Sequence, residues 1–125
     1  MSIWQELIDY SQACILGKEV SGKKHIWACQ RFLRDIDRIG TDGFPFVWDE
    51  AEAERIVDWF AHLRHTKGVL AKKPIRLVPW QKFVLCQIYG WRHKDTGKRR
   101  FRMSFVEVGR KNARIWRLRQ KCCRV

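Results

Sequence analysis

The feature that most constrains this chain is an apolar run, Ser104-Phe105-Val106-Glu107-Val108, leading straight into Gly109-Arg110-Lys111-Asn112-Ala113. It reads as a buried strand delivering a phosphate-binding loop. Such a loop works when its backbone amides close onto a helix N-terminus and a sheet backs it. Only twelve residues follow Ala113, so that helix and sheet are expected to be missing or replaced. The strict pattern, G-x-x-x-x-G-K-[ST], would need glycine at 108 and 113, lysine at 114 and a hydroxyl at 115. The chain carries Val108, Ala113, Arg114 and Ile115 instead. On that pattern alone, an ordinary basic turn is the better reading.

A length of 125 residues with 46% apolar content allows one small domain with a core, and seven Trp with seven Phe argue against disorder. The formal net charge is +13, and +7 of it falls in residues 110–125, which hold no acid. Charge of that density attracts polyanions, most often nucleic acid, without selecting a sequence. The cysteines (Cys14, Cys29, Cys86, Cys122 and Cys123) are odd in number and form no C-x-x-C pair. The N-terminal residues carry Glu6 and Asp9 rather than a basic then apolar signal, and no apolar run reaches membrane-spanning length. These features lead us to expect reduced thiols, a cytoplasmic location and no membrane partner.

Helical spacing and stop signals predict a first helix from Ile3 to Leu16, with Ile3, Leu7 and Ile15 near one face and Gly17 as the stop. A second runs from about Lys23 to Arg38. Ile26, Cys29, Leu33 and Ile36 form its apolar face, and Arg31, Arg34, Asp35 and Arg38 mostly meet water. Thr41 to Trp48 reads as a turn and an extended stretch. Asp49 is the N-cap of a third helix, with Glu52 three residues on and Ala53, Ile56, Val57, Phe60 and Leu63 inward. Pro74 to Val78 is extended, and Pro79 opens a fourth helix through Tyr89. Asp95-Thr96-Gly97 then turns a hairpin between Trp91–His93 and a strand over about Arg100–Val108.

Several of these segments, taken in order, resemble the large terminase subunits of tailed phages. Pro74-Ile75-Arg76-Leu77-Val78-Pro79-Trp80-Gln81-Lys82-Phe83 is similar to the stretch ahead of that family's ATPase core. So is Tyr89 through Arg102, with the strand to Val108 and Gly109-Arg110-Lys111-Asn112 behind it. The family's variant Walker A ends Arg-Lys-Asn-Gly-Lys-Ser/Thr, and its first glycine is commonly absent. Ala28 through Asp35 and Phe44-Pro45-Phe46 also look like the family's N-terminal part. The resemblance implies an α+β fold. A mainly helical N-terminal region (1–73) would lead into the first strands of an incomplete P-loop, RecA/ASCE-like ATPase domain (74–113). A basic tail foreign to the family (114–125) would follow.

For the intact family the resemblance implies an ATP- and Mg²⁺-dependent motor that packages DNA into a capsid and cuts it. Its partners are DNA, a small terminase subunit and the capsid portal, in the cytoplasm of a bacterial host. ATP binding would fall to Gln81, Gly109, Arg110, Lys111, Asn112, Ala113 and Arg114. Read from the residues alone, Gln81 is a surface glutamine at a helix start with Trp80 in the core. By resemblance it reads the adenine edge, since a carboxamide both donates and accepts. The departures are severe. The Ala113 methyl crowds the amides that should reach phosphate, Arg114 lacks the compact ammonium of lysine, and Ile115 cannot ligate Mg²⁺. Walker B and the nuclease carboxylates would lie beyond Val125, so we expect no ATP hydrolysis from this chain alone and no catalytic residue in it.

The tail admits three readings. Arg114, Arg117, Arg119, Lys121 and Arg124 could neutralise phosphates while Trp116 stacks on bases. Ile115, Leu118, Cys122 and Val125 fit one face of a short basic helix. Or a shifted reading frame replaced the native continuation, which the abrupt loss of pattern inside the loop favours. The alternative function is accordingly a small non-enzymatic nucleic-acid-binding protein, or a remnant that keeps only a protein-interaction surface. His25 and Cys29 at i, i+4, and His62 and His65 at i, i+3, could each start a metal site. No second pair completes either, so no metal is expected. Asp35/Asp37 and Glu50/Glu52/Glu54 read as solvated helix faces.

Overall fold

The computed structural model describes residues 2–65, 69 and 71–106, together with the backbone of 123–124. The order is α1 (Ile3–Ile15), α2 (Lys23–Arg38), β1 (Phe46–Trp48), α3 (Glu50–Ala61), α4 (Pro79–Gly90), β2 (Trp91–His93), β3 (Met103–Ser104) and β4 (Cys123–Arg124). The described residues make a small α+β arrangement of four helices and short antiparallel strand pairs. None of the described helices is long and apolar enough to cross a membrane.

Local chemistry sets most of the boundaries. The Ser2 hydroxyl accepts from the Gln5 N–H at α1, and Asp49 Oδ1 accepts from the Glu52 N–H at 3.2 Å at α3. Glu50 and Glu52 sit in the first turn of α3, where the dipole favours them. Pro79 opens α4, where a missing N–H costs nothing. Gly17 follows α1 at φ +80°, a left-handed conformation that ends the helix as expected.

β1 pairs with β2 in the register Phe46↔His93, Val47↔Arg92 and Trp48↔Trp91. The stretch expected to be merely extended before Asp49 therefore ends in a paired strand, its partner lying 45 residues away in the case of Val47 and Arg92. The hairpin after β2 forms where the turn signal placed it. His93 N–H donates to Lys98 O at 2.8 Å, Arg92 bridges Arg99, and Gly97 turns at φ +67°. Its second strand does not run from Arg100: the paired segment is β3, which joins β4 as Met103↔Arg124 and Ser104↔Cys123. The described end of the tail, Cys123–Arg124, is thus paired strand rather than helix, and it pairs with β3 antiparallel.

One core joins both halves of the chain. Leu7 and Cys14 of α1, Cys29 and Phe32 of α2, Phe44, Ala53 of α3, Phe83 and Cys86 of α4, and Trp91 form its buried cluster. Phe32 lies between Phe83 and Trp91, with ring centroids 5.8 and 6.3 Å away, and Trp91 meets Trp48 at 5.5 Å. Edge-to-face aromatic pairs of this kind add to simple area burial. Gly90 is required by that packing, since a Cβ there would stand 2.7 Å from the Trp48 ring.

The face of α2 differs from the expected one. Its buried residues are Cys29, Phe32 and Asp35, while Ile26, Leu33 and Ile36 are only half-buried. Asp35 is not a solvated acid. Its side chain is 3% exposed, and Arg100 Nη1 approaches Asp35 Oδ2 to 2.8 Å. The Arg100 guanidinium also stands 4.7 to 5.4 Å from the ring centroids of Phe44, Phe46, Trp91 and Phe101. Cation–π attraction and the ion pair together offset the cost of burying the charge.

Two substitutions test this core by urea denaturation followed by tryptophan fluorescence. Gly90→Ala should lower stability by about 1–3 kcal/mol through overpacking against Trp48. Asp35→Ala, which strands the Arg100 charge, should cost about 3–5 kcal/mol. Adding Arg100→Met to Asp35→Ala should restore much of the loss, and independent, additive losses would contradict the pairing.

Candidate functional site

The N-terminus of α4 holds the glutamine singled out for nucleotide contact. Gln81 is 1% exposed, and its Oε1 accepts from the Val78 N–H at 3.0 Å. Gln81 stands at the third helical position, and a carboxamide there reaches back to satisfy a backbone donor that the helix leaves open. Val78 has no side-chain acceptor to return the favour, so only this half of a capping box exists. The reading from residues alone is reversed: the glutamine is buried and Trp80 is half-exposed. Reading an adenine edge would require this carboxamide to share or exchange its bond to Val78.

The other proposed phosphate-loop residues, Gly109, Arg110, Lys111, Asn112, Ala113 and Arg114, lie outside the described residues. So do Trp116, Arg117, Arg119 and Lys121 of the basic tail. Arg124 is described as backbone alone, in register with Met103.

What leads up to the loop is firmly anchored. Lys82, beside Gln81, pairs with Glu6 of α1 at 3.0 Å. Arg92 was not singled out in the sequence, yet it ties the hairpin to two helices. Its Nε donates to Tyr89 O at 3.2 Å, its Nη1 to Gly97 O at 3.3 Å, and its Nη2 to Glu52 Oε2 at 3.1 Å. Glu52 is therefore a paired acid that also meets Arg55 at 2.8 Å. Only the i, i+1 neighbourhood of Arg92 is visible in sequence, and its partner is 40 residues away.

A second constellation lies between α1 and α2. The donor atoms of Cys14, His25 and Cys29 all fall within 4.8 Å of one another. Both cysteines are fully buried and His25 is half-buried. The i, i+4 spacing of His25 and Cys29 was legible; its third member, Cys14, comes from the other helix. The Ser21 hydroxyl donates to Cys14 Sγ at 3.3 Å, and the Tyr10 hydroxyl lies 3.0 Å from His25 Nε2. Burial pushes the Cys29 thiol up to about 12, with the neighbouring Cys14 adding to the effect, and lowers His25. Burial also pushes Cys86 up to about 12. All three groups are thus held neutral at physiological pH. Of the other histidine pair, His62, at the end of α3, is hydrogen-bonded through Nδ1 to Asp58 O at 2.7 Å.

Residues 79–117 match the family model described as the terminase large subunit, ATPase domain. The match opens at the first residue of α4, passes through β2, the hairpin and β3, and reaches Arg117. It covers less than half of the chain. No curated protein and no solved structure matches the chain. The matched stretch supports a terminase-type ATPase domain, a family that uses nucleotide and Mg²⁺ in its intact members.

The capping role of Gln81 is open to direct test. Gln81→Ala leaves the Val78 N–H without its acceptor and should cost about 1–2 kcal/mol. A urea midpoint equal to that of the parent would show that this bond contributes nothing.

Proposed function

We propose that this chain carries the helical N-terminal region and the opening of the ATPase domain of a phage or prophage terminase large subunit. The observation that carries the reading is the family match over 79–117, which begins where Pro79 opens α4. The intact motor would couple ATP hydrolysis to DNA translocation into a capsid, with a small terminase subunit and the portal as partners. In it, Gln81 would face adenine and the loop from Gly109 would hold phosphate.

The 125-residue form is proposed not to turn over ATP. Three positions decide this: Ala113, Arg114 and Ile115 replace the small residue, the compact ammonium and the hydroxyl that phosphate and Mg²⁺ need. The purified chain should release no phosphate above background. Release that scales with protein concentration and vanishes in Arg114→Ala would overturn the proposal.

A second reading draws on the charge of +7 over residues 110–125. This segment would bind nucleic acid weakly, through phosphates and without sequence preference, with dissociation constants on the order of micromolar or weaker at physiological salt. Deleting the tail would also remove β4 from β3, so neutralisation is the better test. Replacing Arg114, Arg117, Arg119 and Lys121 by Gln should remove most of the salt dependence of DNA affinity. Tight, sequence-selective binding that persists at high salt would promote the nucleic-acid-binding protein over the motor fragment.

A further inference from the structure

We infer that Cys14, His25 and Cys29 form a zinc site that pins α1 to α2. The donors are two sulfurs and one imidazole nitrogen, the set that soft to borderline divalent metals take and that hard Mg²⁺ or Ca²⁺ refuse. They converge from two helices onto one point, with no pair of donor atoms more than 4.8 Å apart. Tetrahedral zinc, with bonds of about 2.3 Å to sulfur and about 2.0–2.1 Å to nitrogen, sets such donors about 3.5–3.8 Å apart. A contraction of about 1.3 Å or less therefore closes the site, within reach of small side-chain rotations.

The surroundings are those of a metal centre rather than of plain apolar packing. Buried cysteines alone behave as small hydrophobes, but this pair shares its space with an imidazole. Two hydroxyls stand at its rim, Ser21 at 3.3 Å from Cys14 Sγ and Tyr10 at 3.0 Å from His25 Nε2. Partners of this kind orient ligating groups from behind or fill a fourth position, which is otherwise left to water. Charge balances as well. Zn²⁺ displaces one proton from each thiol to solvent, and two thiolates then cancel its two positive charges. No net charge is buried, so the penalty for an unpaired buried ion does not arise. The site bridges the end of α1 and the start of α2, so the metal would act as a structural staple in the helical region. Small cores gain most from such cross-links.

The test uses the full chain, purified in a thiol reductant without chelator. Zinc is measured per chain after buffer exchange, and Co²⁺ is titrated into the chelated, reduced protein. We expect one zinc per chain and a tetrahedral cobalt spectrum with thiolate-to-cobalt charge transfer. Cys14→Ser or Cys29→Ser should abolish both, while Cys86→Ser, an equally buried thiol outside the cluster, should keep them. Tyr10→Phe should weaken cobalt binding by about 10- to 100-fold, as loss of a supporting partner does. Circular dichroism of each variant separates loss of a ligand from loss of the fold, and the parent chain decides the matter should a variant not fold. A parent chain with neither zinc nor a cobalt spectrum would overturn the inference. So would a Cys14–Cys29 disulfide isolated under the same reducing conditions, or a cobalt spectrum that survives Cys29→Ser.

Discussion

A carboxylate with 3% exposure cannot stand in an aromatic core by itself, and the arrangement of this chain follows from how Asp35 is satisfied. Its partner, Arg100, arrives 65 residues later, from the segment that follows the hairpin. The pair fixes the rotational phase of α2. With Asp35 inward, Phe32 and Cys29 come inward with it at spacings of three, and the branched residues Ile26, Leu33 and Ile36 move to the flanks. It also fixes the hairpin, because Arg100 reaches Asp35 only after β2 has paired with β1 and Gly97 has turned the chain. Phe44, Phe46, Trp91 and Phe101 close around the guanidinium and give the buried cation its rings.

This explains which parts of the fold were legible in the sequence. Asp49 and Pro79 act on their own helix within one turn, so the start of α3 and both ends of α4 were read to within a residue, while α3 stops at Ala61, short of the Leu63 placed on its inward face. Gly17 and Gly97 require left-handed backbone, and both the helix stop and the turn fell where they stand. The inward face of α2 was misread because hydrophobic periodicity assigns a charged residue to water. It cannot register a cation contributed by a distant segment. β1 escaped for the same reason: three residues ahead of a helix cap show no strand signal until Trp91–His93 lies alongside. β4 sits in a stretch read for its charge and for one face of a short basic helix, with no strand signal.

The candidate sites divide along the same line. Gln81 was found through its neighbours in sequence, yet its burial and its bond to Val78 depend on packing around the start of α4. Arg92 looked like one more basic residue until Glu52, Tyr89 and Gly97 surrounded it. Half of the thiol–imidazole cluster was visible as an i, i+4 pair. The missing third donor sits on α1, and no helical spacing connects it to α2. Antiparallel packing of two helices joined by a short connection brings them together, and that is a property of the fold.

The family-matching stretch is not a self-sufficient unit. Its buried residues Phe83, Cys86 and Trp91 find their neighbours in Phe32, Phe44, Trp48 and Ala53, all of which precede it. Both ends of α4 are fastened to earlier elements. Lys82 holds the start to Glu6, while Trp91 and Arg100, beyond the other end, hold to Trp48 and Asp35. The boundary at residue 74 that the resemblance implies is therefore crossed by the core. In the proposed motor reading, this places Gln81 on a helix that, among the described residues, is held by the N-terminal region. A shift of α1 against α4 would move the glutamine together with Lys82, and rearrangement of Gln81 would free the Val78 N–H at the same helix end. The helical region then acts as the platform from which the first nucleotide-facing element projects, and the two parts stand or fall together.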